Sequence, residues 1–142
     1  LTLIGSKPDV KEETETIHGF QIQHAHHITL KNVKSFMCKR DGFYIGTDYI
    51  VKETEWKLQY SAKNITLINC NADSNHRQGL SITEGEHIFV DGCSFTNTIG
   101  TDPQCGIDIE PNLYKYLDGT FANITVSDVT IKNCLFKFFY CN

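Results

Sequence analysis

Two short patterns alternate along this chain, and that alternation limits its possible folds more than any other feature. The first reads Gly–apolar–x–apolar–x: Gly19–Gln23, Gly42–Gly46, Gly79–Thr83 and Gly106–Glu110. We refer to it as unit A. The second, unit B, reads apolar–x–apolar–x–Asn/Gly followed by a small apolar residue. Its copies begin at Ile28, Ile65, Ile88 and Val129, with Leu1–Gly5 as a leading copy. From A to B the offsets are 9, 23, 9 and 23 residues; from B to A they are 18, 14, 14 and 18. The short spacings give a repeat of 23 residues (19→42 and 65→88), and longer values are the same repeat with a loop inserted.

Period-two alternation within each unit is strand chemistry, with one set of side chains inward and the next outward. The apolar set is dominated by Ile, Val, Thr, Phe and Tyr, which favours strands again, and no helix-period stripe competes. Asn or Gly closing each B unit suits a bend that needs left-handed backbone. Hairpin signals between units are lacking, because Asp41-Gly42 opens an A copy and Asp118-Gly119 sits in a loop. The expectation is an all-β chain, a right-handed parallel β-helix (solenoid) of about four rungs, forming one unit over residues 1–142. Loop insertions are expected at about 47–62, 97–104 and 111–123. Leu1 falls inside a strand and residues 135–140 close on apolar side chains, so the expectation extends to a segment of a longer helix, capped by flanking rungs or a partner chain.

Stacking the units turns sequence positions into columns. Gln21, Tyr44, Ser81 and Asp108 share one outward column, and Gln23, Gly46, Thr83 and Glu110 the next. Arg40 and Arg77 precede their Gly by two residues and are expected at one corner, with Lys39 and His76 one residue earlier. Asp108 and Glu110 are then neighbours on one face, with Cα atoms ~6.5–7 Å apart. Carboxyl groups ~6.5–9.5 Å apart suit an inverting glycosidase, which needs room for a water between base and sugar. Arg77 supplies a cation beside them. The two long A-to-B insertions carry Tyr49, Trp56, Tyr60, Tyr114 and Tyr116, aromatics suited to stacking on sugar rings.

Other clusters carry less. His24, His26 and His27, near His18, raise the question of a metal, but they fall at a turn and His27 aligns with His87, so no metal site is assigned. Cys70, Cys93 and Cys134 occupy one repeat position where the first copy has Val33, which marks a buried apolar slot. A net charge of −4 without a Lys/Arg cluster argues against nucleic acid as a partner. No apolar run approaches the ~20 residues of a membrane-spanning helix, so no membrane partner is expected.

The segments Asn64–Cys70 (NITLINC), His27–Val33 (HITLKNV) and Val129–Cys134 (VTIKNC), with their Asn and Cys ladders, resemble the right-handed parallel β-helix proteins of the pectin-lyase-like type. The stretch Thr98–Asn112 (TIGTDPQCGIDIEPN), preceded by Arg77–Ile82 (RQGLSI), is similar to bacterial and phage members that act on polysaccharides. The polygalacturonase signatures are missing, so that enzyme is not implied. The resemblance implies a carbohydrate-active module, extracellular or periplasmic, or on a virion surface if phage-derived, with a polysaccharide or oligosaccharide as partner.

The expected activity is glycoside hydrolysis along the unit A face, with Asp108, Glu110 and Arg77 catalytic. Tyr44, Arg40, His76, Trp56 and Tyr114 would bind substrate, and no cofactor would be needed. One alternative is a uronate lyase or epimerase, in which Arg77, Lys39 or His76 abstracts a proton and the carboxylates hold Ca²⁺. The other is a non-catalytic adhesin or tailspike-like carbohydrate-binding shaft.

Overall fold

The computed structural model describes residues 1–5, 17–46, 61–111 and 125–137. Among these the chain forms thirteen strands and no helix. In chain order they are β1 (Thr2–Ile4), β2 (Phe20–Gln23), β3 (His26–Lys31), β4 (Lys34–Phe36), β5 (Phe43–Gly46), β6 (Lys63–Ile68) and β7 (Asn71–Asp73). There follow β8 (Leu80–Ile82), β9 (Gly85–Asp91), β10 (Ser94–Thr96), β11 (Ile107–Ile109), β12 (Val126–Lys132) and β13 (Leu135–Lys137).

Every described pairing is parallel, and the strands sort into three sheets. The A units make the first, in the order β11-β8-β5-β2. The B units make the second, β12-β9-β6-β3. A third short strand after each Asn/Gly bend builds the last sheet, β1-β4-β7-β10-β13. Each sheet therefore takes every third strand, and the chain passes through the three in the same cyclic order.

Leu1–Gly5 departs from expectation. It reads as a B unit, yet β1 pairs in the third sheet, Thr2 opposite Lys34 and Leu3 opposite Ser35. Apolar–x–apolar alternation states that a strand is half-buried; it does not state which sheet the strand joins.

The core is built by the inward positions of all three sheets. Phe43 and Ile45, Leu80 and Ile82, Ile65 and Leu67, Ile88 and Val90, with Ala72 and Phe95, are all buried. Burying one such Ile, Leu or Phe contributes roughly 1.5–3 kcal/mol relative to exposure. Aromatic rings also stack between strands, Phe20 on Phe43 with centroids 5.3 Å apart and Phe95 on Phe136 at 5.9 Å. The cysteine slot behaves as an apolar position. Cys70 and Cys93 are buried and Cys134, on the outermost strand pair, is half-buried; all three are free thiols. The Cys70 N–H points at Cys93 Sγ at 3.3 Å. Contact with Cys70 and burial together push the Cys93 thiol up.

Three columns of left-handed residues shape each repeat. Asn32, Asn69, Gly92 and Asn133, with φ of 56°, 50°, 63° and 53°, bend the chain from the second sheet into the third. His27, Asn64, His87 and Asp128 (58°, 56°, 56° and 51°) form a second column within the second sheet, and Met37, Ser74 and Asn97 (54°, 57° and 54°) a third after the third sheet. Asn, Asp and Gly tolerate this region best, because a Cβ there crowds the following carbonyl. At Gly92 the space is closed as well, since an added Cβ would sit 2.5 Å from Asn69 Oδ1.

The bend at Asn69 gives a direct test. Asn69→Val places a β-branched residue at φ 50° and is expected to lower stability by about 1–2 kcal/mol, with a distinctly smaller loss for Asn69→Gly. Urea unfolding of the two variants beside the parent checks this; equal losses would mean that left-handed backbone is not the constraint at this corner.

Candidate functional site

The outward column of the first sheet forms as expected: Gln21 pairs with Tyr44, Tyr44 with Ser81, and Ser81 with Asp108. What differs is its exposure. Tyr44 and Ser81 are almost fully buried, although they point away from the core. The His18 ring stacks on Tyr44 with centroids 4.3 Å apart and planes 21° apart, while the Tyr44 hydroxyl and Thr83 Oγ1 lie 2.9 Å apart. The middle of this face is therefore a packed polar layer, and the carboxylates lie at its edge.

A residue absent from the expected site organises that layer. Asp41, immediately before Gly42, has a side chain with no exposed surface. Its Oδ2 accepts a hydrogen bond from Ser81 Oγ at 2.9 Å and lies 3.0 Å from His18 Nδ1 and 3.5 Å from Arg77 NH1. Arg77 is 17% exposed and turns its other terminal nitrogen towards Glu110, 3.8 Å from Oε2. One guanidinium thus spans a buried carboxylate and a solvent-facing one, for Glu110 is 58% exposed. Asp108 is half-buried, and its Oδ2 accepts from Gln78 Nε2. Gln78 is fully buried, and its Oε1 contacts Ser81 Oγ.

His18, Asp41 and Gln78 share a repeat position, the residue directly before the Gly of each A unit. The Gly19 N–H donates to the Asp41 carbonyl and the Gly42 N–H to the Gln78 carbonyl, at 2.8 and 2.9 Å. Polar side chains at this register position are a signal readable in the sequence, one residue on from the arginine corner.

The remaining expected residues are placed as follows. The Arg77 N–H donates to the Arg40 carbonyl at 3.0 Å, which brings the two arginines to one corner as the repeat implied. His76 is buried under the loop at 97–104: Thr101 N–H donates to its carbonyl, and a Cβ on Gly100 would meet His76 Nδ1 at 2.2 Å. Trp56 and Tyr114, with most of the expected insertions 47–62 and 111–123, lie outside the described residues. A cavity of about 270 Å³ is lined by His18, Ile4, Cys38 and Lys39 among others. It sits at the β1 end, and neither Asp108 nor Glu110 lines it. Burial pushes the Cys38 thiol there upward, the opposite of what a thiolate nucleophile needs. Among the described residues no group of His, Cys, Asp and Glu is arranged to hold a metal ion.

Two carboxyl groups of unequal exposure two residues apart, with a guanidinium 3.8 Å from the more exposed one and a hydrogen-bonded sheet behind, suit proton transfer to and from a bound polar substrate. Comparison of the chain with family models, with curated proteins and with solved structures finds no match.

The asymmetry of Arg77 predicts two different losses. Arg77→Met leaves the buried Asp41 without its guanidinium, at an expected cost of about 1–3 kcal/mol. Glu110→Gln, at the exposed end of the same contact, is expected to change stability by no more than about 0.5 kcal/mol. Chemical denaturation of both variants reads the difference, and a neutral Arg77→Met would show that Asp41 does not depend on it.

Proposed function

We propose that the three parallel sheets are the faces of a right-handed parallel β-helix and that the first-sheet edge at Asp108 and Glu110 is the catalytic centre of a glycoside hydrolase. The observation that carries the reading is the position of Arg77, held against a buried carboxylate on one side and reaching Glu110 on the other, one strand from Asp108. Cyclic passage of the chain through three parallel sheets supports the helix. Tyr44, Ser81 and Thr83 are covered, so a polysaccharide would reach the first sheet at its β11 edge, where Asp108 is half-buried and Glu110 is exposed.

Residues two apart on one strand face place their carboxyl groups near the wider of the two glycosidase separations, where a water fits between base and sugar. One carboxyl protonates the leaving glycosidic oxygen, and the other takes a proton from the water that attacks the anomeric carbon. Arg77 orients Glu110 and offers N–H donors to sugar hydroxyl or carboxylate oxygens. Half-buried Asp108, anchored by Gln78, is fixed in direction, which is what transfer to one particular oxygen requires.

The test is a panel of polysaccharides incubated with the full chain, read by new reducing ends and by the absorbance of unsaturated products. New reducing ends without unsaturation are expected, and Asp108→Asn and Glu110→Gln should each lower turnover by about 10²–10⁴-fold with the fold retained. Unsaturated products would instead establish a uronate lyase. Binding with no cleavage, unchanged in both variants, would leave this face a non-catalytic carbohydrate-binding surface.

A further inference from the structure

An unbroken polar line joins the buried Asp41 to Asp108. Ser81 Oγ lies 2.9 Å from Asp41 Oδ2 and contacts Gln78 Oε1, while Gln78 Nε2 contacts Asp108 Oδ2. Asp41, Ser81 and Gln78 are all buried, so bulk water does not compete for these bonds.

The donors and acceptors can be counted. A serine hydroxyl carries one proton, and an amide donates only from its nitrogen. With the Gln78 oxygen towards Ser81, the hydroxyl donates to Gln78 and must accept from Asp41, which then carries a proton. Asp108 receives the amide N–H as a carboxylate. With the amide turned over, Nε2 donates to Ser81, the hydroxyl donates to Asp41 as a carboxylate, and the amide oxygen accepts from a protonated Asp108. Each arrangement satisfies every link with one carboxylic proton. With neither acid protonated, two oxygens face each other with no hydrogen between them, either at the buried Ser81–Gln78 contact, where that is costly, or at Gln78 and half-buried Asp108.

We infer that Asp41 and Asp108 share one carboxylic proton through Ser81 and Gln78, which makes Asp41 the positioning residue that sets the charge of Asp108. At the Asp41 end, an Arg77 nitrogen and His18 Nδ1 lie 3.5 and 3.0 Å from its Oδ2, whereas no hydrogen-bond donor reaches its buried Oδ1 among the described residues. Beyond these, Glu110 faces the other side of Arg77, Tyr44 lies under His18, and Arg40 and His76 flank the same corner.

The consequence rests on reading Asp108 and Glu110 as the acid/base pair, and it assigns their roles. Asp108 is the acid, since it is the member of the proton-sharing pair that reaches solvent, Asp41 being fully buried. Glu110, outside the line and open to solvent, is the base. In one turnover Asp108 gives its proton to the leaving glycosidic oxygen as the C–O bond breaks. Glu110 takes a proton from the water whose oxygen bonds to the anomeric carbon. Solvent then returns a proton from Glu110 to the Asp41–Asp108 line, which balances the cycle.

The experiment follows the side-chain carboxyl ¹³C signals of Asp41 and Asp108 through an acid-to-neutral titration of the full chain. In the parent both signals should move in the same two steps, because coupled groups titrate as a pair. Ser81→Ala cuts the line, and Asp41→Asn removes one partner; in each, Asp108 should lose one of its two steps. Ser81→Thr keeps the hydroxyl and should restore both. Should Asp41→Asn fail to fold, Ser81→Ala and the parent curves still decide the matter. Single, independent steps for the two residues in the parent would overturn the shared proton. Shared steps in a chain that cleaves no polysaccharide would keep the proton pair and remove the hydrolase reading. Cleavage with independent steps would do the reverse.

Discussion

Parallel backbone pairing in the first sheet is the constraint on which the rest of the molecule depends. Phe20 lies opposite Phe43, Phe43 opposite Leu80, and Leu80 opposite Ile107. A slip of β5 by one residue would turn Phe43 and Ile45 outward and drive Tyr44 into the core. The cost of exposing two buried apolar side chains, at roughly 1.5–3 kcal/mol each, locks the register. Once it is locked, the residues before each Gly must also stack, and that brings Asp41, Gln78 and His18 together. The core and the candidate site are therefore products of the same hydrogen bonds.

That site is made of groups that a folding chain would leave in water if stability alone mattered. A carboxylate and a guanidinium removed from water recover their desolvation only when geometry and further hydrogen bonds are good. Asp41 has Ser81 and Arg77 on its Oδ2 and His18 Nδ1 3.0 Å away, while its Oδ1 has no partner among the described residues. The second sheet shows the contrast. Its outer face carries Lys63 2.9 Å from Glu86, and His87 against Asp128, all solvent-facing. Lys63 holds the Glu86 carboxyl below the usual carboxylate range, yet such pairs are screened by solvent and weakly stabilising. Charge on the second sheet keeps a face wet, whereas charge on the first is organised.

The parts of this arrangement legible in the sequence are those set by strict periodicity. The A and B strands, the outward column ending at Asp108, the arginine corner and the left-handed Asn/Gly bends follow from a period of two and a repeat of 23 residues. The third strand of each repeat was less legible, because three residues such as Asn71–Asp73 carry almost no alternation. Leu1–Gly5 does alternate and so reads as a B unit, yet alternation does not say which sheet a strand joins. The burial of Tyr44 and Ser81 was hidden for a different reason: period two says which way a side chain points, not what packs on it. His18 covers Tyr44 from a position before β2, a tertiary contact with no periodic signature. The polar line through Gln78 lies in the column directly before the Gly of the A units, and only the three-dimensional register shows that its members touch.

The central claim, that one register builds both the core and the site, is tested most directly by backbone NOEs across the first sheet in solution. The account predicts contacts of parallel strands between Tyr44 and Ser81 and between Ser81 and Asp108, with Asp41 and Gln78 side by side. Antiparallel contacts, or a pattern shifted by one residue, would contradict it, and the site would fall with the register.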